Sequence, residues 1–215
     1  MPVLLWDLDG TIVDSGPTII GAIRETLRQW GLPDVPYERA RACVGPPLID
    51  SLPSVCGVPV SELDDFIAAY RSTYTQTMTT APTYPGVPEV IAAAHDAGAI
   101  HALATAKPEP AAAQIIEAHG LTPYFTVVTG ADPAAGVHHK DQVIERCLQR
   151  LHALDIDTSH ALMIGDRSYD MHGARIHGLH GALVLWGYGS ADEAAGFPVV
   201  ATPGELSELI CDASR

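Results

Sequence analysis

Val3-Leu4-Leu5-Trp6-Asp7-Leu8-Asp9-Gly10-Thr11 is an apolar run that stops on two carboxylates. Four large apolar residues in succession, closed by a polar turn with glycine, suit a strand buried on both faces. A carboxylate set just beyond such a strand is costly unless it meets a cation or carries a proton. Open parallel sheets collect ligands beyond the carboxyl ends of their strands. The placement of Asp7 and Asp9 therefore makes every other strand end a candidate for the same site.

Working outward, residues 2–6, 100–104, 126–128, 161–164 and 182–186 read as short buried strands. Residues 88–97, 110–119, 141–154 and 168–177 read as helices between them, the third with Val143, Ile144, Cys147, Leu148 and Leu151 on one stripe. Gly98, Gly120 and Gly178 stand where a helix stop favours a left-handed residue. This alternation predicts an α/β fold, a Rossmann-like doubly wound parallel sheet covered on both faces. Residues 15–82 depart from it: Ile19, Ile20, Ile23, Leu27 and Trp30 share one helical face, and Leu63, Phe66, Ile67, Tyr70 and Tyr74 another. Ser61, three residues before Asp64, reads as the cap that opens the second helix. The expected organisation is a core of residues 1–14 and 83–215, with an all-helical insertion at 15–82 after the first strand. The proline-rich stretch Ala81-Pro82-Thr83-Tyr84-Pro85-Gly86 would return the chain to the core.

The other strand ends repeat the chemistry. Residues 161–164 run into Gly165-Asp166, and Asp170 follows four residues later. Four carboxylates on one sheet edge are hard oxygen ligands, which suit Mg²⁺ better than zinc or copper. Thr105, Ala106 and Lys107 end the strand at 100–104, and Lys140 precedes the helix at 141. A hydroxyl, lysines and Mg²⁺ around a carboxylate nucleophile are the equipment for phosphoryl transfer. Each piece alone has a plainer origin: an aspartate-rich turn, a helix cap, a solvated lysine. Their joint order along the chain favours the chemical reading.

That order resembles the haloacid dehalogenase-like superfamily, and within it the phosphoglycolate-phosphatase-like branch with a helical cap after the first motif. Tyr84-Pro85-Gly86-Val87, Ala104-Thr105-Ala106-Lys107-Pro108, His139-Lys140, Met163-Ile164-Gly165-Asp166-Arg167 and Trp186-Gly187-Tyr188-Gly189 carry the resemblance over nearly the whole chain. The resemblance implies Asp7 as nucleophile and Asp9 as general acid and base. It implies Mg²⁺ held by Asp7, the Asp9 carbonyl, Asp166 and, through water or from behind, Asp170. Thr105 and Lys140 would bind phosphoryl oxygens, with Ala106 contributing its backbone N–H where relatives often carry Asn or Ser. Arg41, Gly45 and Lys107 would contact the rest of the substrate. The implied activity is Mg²⁺-dependent hydrolysis of a small-metabolite phosphomonoester, phosphoglycolate-like, through an aspartyl-phosphate. A β-phosphoglucomutase-like isomerase, a 5'-nucleotidase and a pyrophosphatase on the same scaffold are the alternatives. Phosphonate cleavage is disfavoured, because it needs a cap lysine and residues 15–82 contain none.

Composition narrows the partners. The 215 residues are 47% hydrophobic and 18% charged, and the formal net charge is −14. That charge repels nucleic-acid backbones and anionic membranes. No stretch reaches the ~18 apolar residues of a membrane span, and no signal sequence is recognisable, so the expected location is cytoplasmic. Cys43, Cys56, Cys147 and Cys211 form no C-x-x-C pair, and the adjacent His138 and His139 read as loop residues rather than zinc ligands. Gly187-Tyr188-Gly189 lacks the third glycine of a dinucleotide fingerprint. The expected partner is a small phosphorylated metabolite, with monomer and homodimer both open. An anion must then reach an acidic protein, which requires a local reversal of sign.

Overall fold

In the computed structural model, which describes residues 2–213, Val3–Trp6 forms β1 inside a six-stranded parallel sheet. The other strands are β2 (Ile100–Pro108), β3 (Phe125–Ala131), β4 (Leu162–Gly165), β5 (His180–Val184) and β6 (Val199–Val200), in the order β3-β2-β1-β4-β5-β6. Alternation along β1 explains why its sequence is apolar throughout. Leu4 and Trp6 face one buried cluster with Ile20, Ile23 and Ile91, while Val3 and Leu5 face another with Val143, Ile144 and Met163. The sheet is thus buried on both faces, as the sequence predicts.

The strand order decides where the site lies. The chain steps outward from β1 through β2 to β3, then returns to the opposite side of β1 as β4. β1 and β4 pair with Trp6 opposite Ile164, so the crossovers diverge between their carboxyl ends. Asp7 and Asp166 follow those two ends.

Residues 15–82 hold helices Gly16–Gln29 and Leu63–Thr75 with short helical turns between them. The two helices pack through Trp30 and Phe66, edge to face at 5.4 Å between ring centres. At the junction with the rest of the chain, Asp14 N–H donates to the Pro82 carbonyl and Tyr84 N–H to that of Ile12, both at 2.9 Å. Gly98, Gly120 and Gly178 all have φ between 66° and 90°, as helix stops require. The expected cap at Ser61 is not formed. A 3₁₀ turn, Val60–Glu62, takes its place because Pro59 offers its carbonyl to Glu62 N–H, and the helix opens at Leu63. β5 begins two residues before the sequence reading, because Leu162 pairs with His180. β6 and the helix Pro203–Ala213 escape the sequence reading altogether. Residues 1, 214 and 215 of the expected core lie outside the described residues. No helix among the described residues is long and apolar enough to cross a membrane.

One core histidine gives a pH-dependent expectation. His101 on β2 is buried and accepts a 3.0 Å hydrogen bond at Nδ1 from Trp6 Nε1–H. Burial, with His95 adding to it, pushes its pKa down to about 4. Between about 6.5 and that value the unfolded chain binds a proton that the native state refuses. Stability should therefore fall as pH drops through this window, by about 3 kcal/mol at its lower end. Denaturant unfolding at pH 7 and 4.5 should show a smaller loss in His101→Gln than in wild type; parallel losses would clear His101 of the effect.

Candidate active site

The Asp7 amide donates to the Ile164 carbonyl at 2.9 Å, which carries the ladder one residue beyond β1 and fixes Asp7 at its tip. The chain then folds back, with the Leu8 carbonyl accepting from Ile12 and Val13 N–H at 2.9 and 3.0 Å. Gly10 takes φ +85° in this turn, and a Cβ there would overlap the Asp166 carboxylate. Both the left-handed backbone and the close approach call for glycine.

Asp7, Asp166 and Asp170 are buried, and each can place an oxygen within 4.8 Å of the others. Lys140, at the start of the helix Lys140–His152, lies 2.7 Å from both Asp7 Oδ1 and Asp170 Oδ1 and donates to the Ala104 carbonyl at 2.9 Å. Burial alone would lower its pKa, but Asp170 and Asp7 outweigh it and raise the value above the ordinary lysine range. Asp170 Oδ2 also accepts from Arg167 N–H at 3.0 Å, closing the first turn of the helix Ser168–Ile176.

Asp166 is the unbalanced member. Its Oδ2 accepts from Tyr188 N–H at 2.7 Å, whereas its buried Oδ1 has no hydrogen-bond partner among the described residues. Burial, then the charges of Asp170 and Asp7, raise its pKa well above the usual carboxylate range. Three carboxylates face a single ammonium, a deficit of two charges. An orphaned oxygen and a deficit of that size fit a divalent cation held by oxygen.

The Asp9 carboxylate turns away from this cluster. Ser15 Oγ donates to its Oδ1 at 2.6 Å, and Lys107 Nζ lies 3.0 Å from its Oδ2. With both oxygens engaged, this carboxylate stands apart from the group Asp7, Asp166 and Asp170. Above Asp7 and Asp9 opens a cavity of about 480 Å³, also lined by Gly45, Thr105, Ala106 and Lys107. Two expected substrate residues are not brought into it. Arg41 is exposed, 3.7 Å from Glu38, and Lys140 lies beneath the floor with its three donors engaged. His138 lines the cavity, while His138 and His139 N–H both donate to Gln142 Oε1, at 2.9 and 3.1 Å, as helix-capping loop residues.

Several participants are not evident from the sequence. Tyr74 reads as part of an apolar stripe, yet its hydroxyl accepts from Lys107 Nζ at 2.8 Å. Gly187 and Gly189 pack against Asp166 so closely that a Cβ on either would overlap it. Arg167 Nη1 reaches the Val44 carbonyl at 2.7 Å, tying the end of β4 to the turn at Gly45. The weak signals available were the G-x-G itself and the arginine beside Asp166.

A family model described as haloacid dehalogenase-like hydrolase matches residues 4–184. Tyrosine-protein kinase PtkA of Mycobacterium tuberculosis is 34% identical over 96% of this chain and 70% of its own length. Phosphoglycolate phosphatase of Caulobacter vibrioides is 32% identical over 86% of this chain and 79% of its own. Among solved structures, a predicted phosphatase from Clostridium acetobutylicum superposes with a TM-score of 0.89 at 28% identity, covering 98% of both chains.

Proposed function

The chain belongs to the haloacid dehalogenase-like hydrolases, and on that premise we propose that it hydrolyses a small-metabolite phosphomonoester through a phosphorylated Asp7, with residues 15–82 as a cap over the core. The observation that carries this reading is that Asp7 and Asp9 share one cavity floor, while Asp7 also belongs to the acidic cluster beneath it.

An Asp7 oxygen attacks phosphorus, the ester P–O bond breaks, and Asp9 gives a proton to the departing alkoxide. Asp9 then takes a proton from a water attacking the same phosphorus. The P–O bond to Asp7 breaks, and phosphate leaves. Ser15 at Oδ1 and Lys107 at Oδ2 hold the Asp9 carboxyl in place at the cavity floor. Lys140 pairs with Asp7 and orients it from below. The Thr105 hydroxyl and the Ala106 N–H are the donors for phosphoryl oxygens. Mg²⁺ on Asp7, Asp166, Asp170 and the Asp9 carbonyl would supply the charge neutralisation that admits an anion to this acidic floor.

Phosphate release from a metabolite panel, measured with Mg²⁺ and with excess EDTA, tests the reading. Release should require the metal; turnover that survives EDTA would overturn the metal assignment. Asp9→Asn separates the two steps further. Alkyl phosphates should lose about 10²–10⁴-fold in rate, the usual reach of general acid catalysis. p-Nitrophenyl phosphate, whose leaving group needs no proton, should still give a first-turnover burst approaching one equivalent. Equal losses for both esters would remove Asp9 as the acid.

A further inference from the structure

The cavity above Asp7 and Asp9 is not shaped or charged for a two-carbon acid. Its volume of about 480 Å³ lies within the range that holds ring-containing ligands, roughly 300–1,000 Å³. The side contributed by residues 15–82 is lined by Ile19, Leu48, Ile67, Tyr70, Tyr74 and Met78. The opposite side adds Pro108, Pro110 and Ala111. Ile67, Tyr70, Tyr74 and Met78 are buried, and the two tyrosine rings stack at 5.5 Å between centres.

Charge points the same way. The cation at the floor, Lys107, is already engaged: Asp9 lies 3.0 Å away, the Tyr74 hydroxyl accepts from it at 2.8 Å, and the Tyr74 ring centre lies 4.4 Å from it. Of the other lining residues, Arg71 is exposed and shares the rim with exposed Asp64. Half-buried His138 also lines the cavity, so a carboxylate on the leaving group would meet mostly apolar walls, one imidazole and a lysine already paired with Asp9. Burying it there unpaired is unfavourable. An uncharged ring would instead exchange water for apolar surface on both sides.

We propose that this cavity selects phosphomonoesters whose alcohol portion is an uncharged, ring-sized apolar group, in preference to esters of small hydroxy acids such as glycolate. The proposal rests on the phosphatase reading above and adds the substrate class.

Three esters of primary alcohols test it: 2-phenylethyl phosphate, ethyl phosphate and phosphoglycolate, each with Mg²⁺. Ethanol and 2-phenylethanol are leaving groups of similar basicity, so a difference between them reports the cavity rather than the chemistry. The expected kcat/KM for the phenylethyl ester exceeds that for the ethyl ester by about tenfold to a hundredfold, the worth of burying a ring. Phosphoglycolate should be the poorest of the three. A phenylethyl-to-ethyl ratio near one, or phosphoglycolate as the best substrate, overturns the substrate class and leaves the phosphatase reading standing. No phosphate from any ester, p-nitrophenyl phosphate included, overturns the phosphatase reading itself. Half-buried Leu48 supplies the second arm. In Leu48→Ala, with fold checked by circular dichroism, the phenylethyl-to-ethyl ratio should fall several-fold; an unchanged ratio would remove this wall as its source.

Discussion

Asp7→Asn should yield a folded protein whose phosphate release is slower by on the order of 10⁴-fold or more. An amide in place of the carboxylate has no oxygen nucleophilic enough to take phosphorus from an ester, and no neighbour can replace it. Asp9, also on the cavity floor, is held by Ser15 and Lys107. Asp166 and Asp170 do not line the cavity. Folding should survive because Lys140 keeps Asp170 and the Ala104 carbonyl as partners. The variant also relieves part of the negative surplus around Lys140, so its metal-free melting temperature should equal or exceed that of wild type. The rise on adding Mg²⁺ should shrink, since one ligand carboxylate is gone. Substantial residual turnover would remove Asp7 as nucleophile, and a large drop in the metal-free melting temperature would show that folding rather than chemistry was lost.

The parts of this site legible in the sequence are those encoded locally. Val3–Trp6 is apolar at every position because both faces of β1 are buried, and that places Asp7 and Asp9 at a strand end before any tertiary contact is known. Gly165-Asp166 follows the same logic at β4. The parts that were hidden depend on contacts between distant segments. Asp170 looks like a residue one helical turn beyond Asp166, yet Asp166 precedes the helix, and Asp170 is the side chain that closes its first turn. Tyr74 shares its stripe with Phe66, but periodicity cannot distinguish a stripe facing a core from one lining a cavity. Gly187 and Gly189 are required by Asp166, some twenty residues away in sequence, so no local rule exposes them. The same holds for Cys43 and Cys56, whose sulfurs approach to 3.8 Å as thiols despite a spacing that suggests no pair. The net charge of −14 gains a location as well. Part of the acid surplus is the buried trio around Lys140, where a divalent cation can reverse the sign that an incoming phosphate meets.

Lys140→Met should damage stability as much as rate. The methionine fills most of the slot but leaves Asp7 and Asp170 without the ammonium that lies 2.7 Å from each. Removing one partner from a buried ion pair costs about 3–5 kcal/mol, because the remaining charge is stranded. Arginine offers no rescue: the lysine stem is packed against the helix Ser168–Ile176, where a Cβ on Gly173 would already stand 3.4 Å from Lys140 Cγ. The sign of the pH dependence follows from the carboxylates. In the native wild type, burial pushes the Asp170 pKa up to about 6 even with Lys140 opposing it, and burial with the charges of Asp170 and Asp7 also holds Asp166 well above the usual carboxylate range. Without Lys140 the Asp170 pKa rises higher, so the native state holds a proton that the unfolded chain releases above its ordinary carboxylate pKa. Stability then falls as pH increases through that window. The deficit of Lys140→Met relative to wild type should therefore be larger at pH 8 than at pH 5.5, measured by denaturant unfolding without metal. Saturating Mg²⁺ should recover part of it at pH 8, since the cation supplies positive charge to the same oxygens. A deficit independent of both pH and Mg²⁺ would mean that Lys140 contributes by packing alone, and the electrostatic account of the cluster would fall with it.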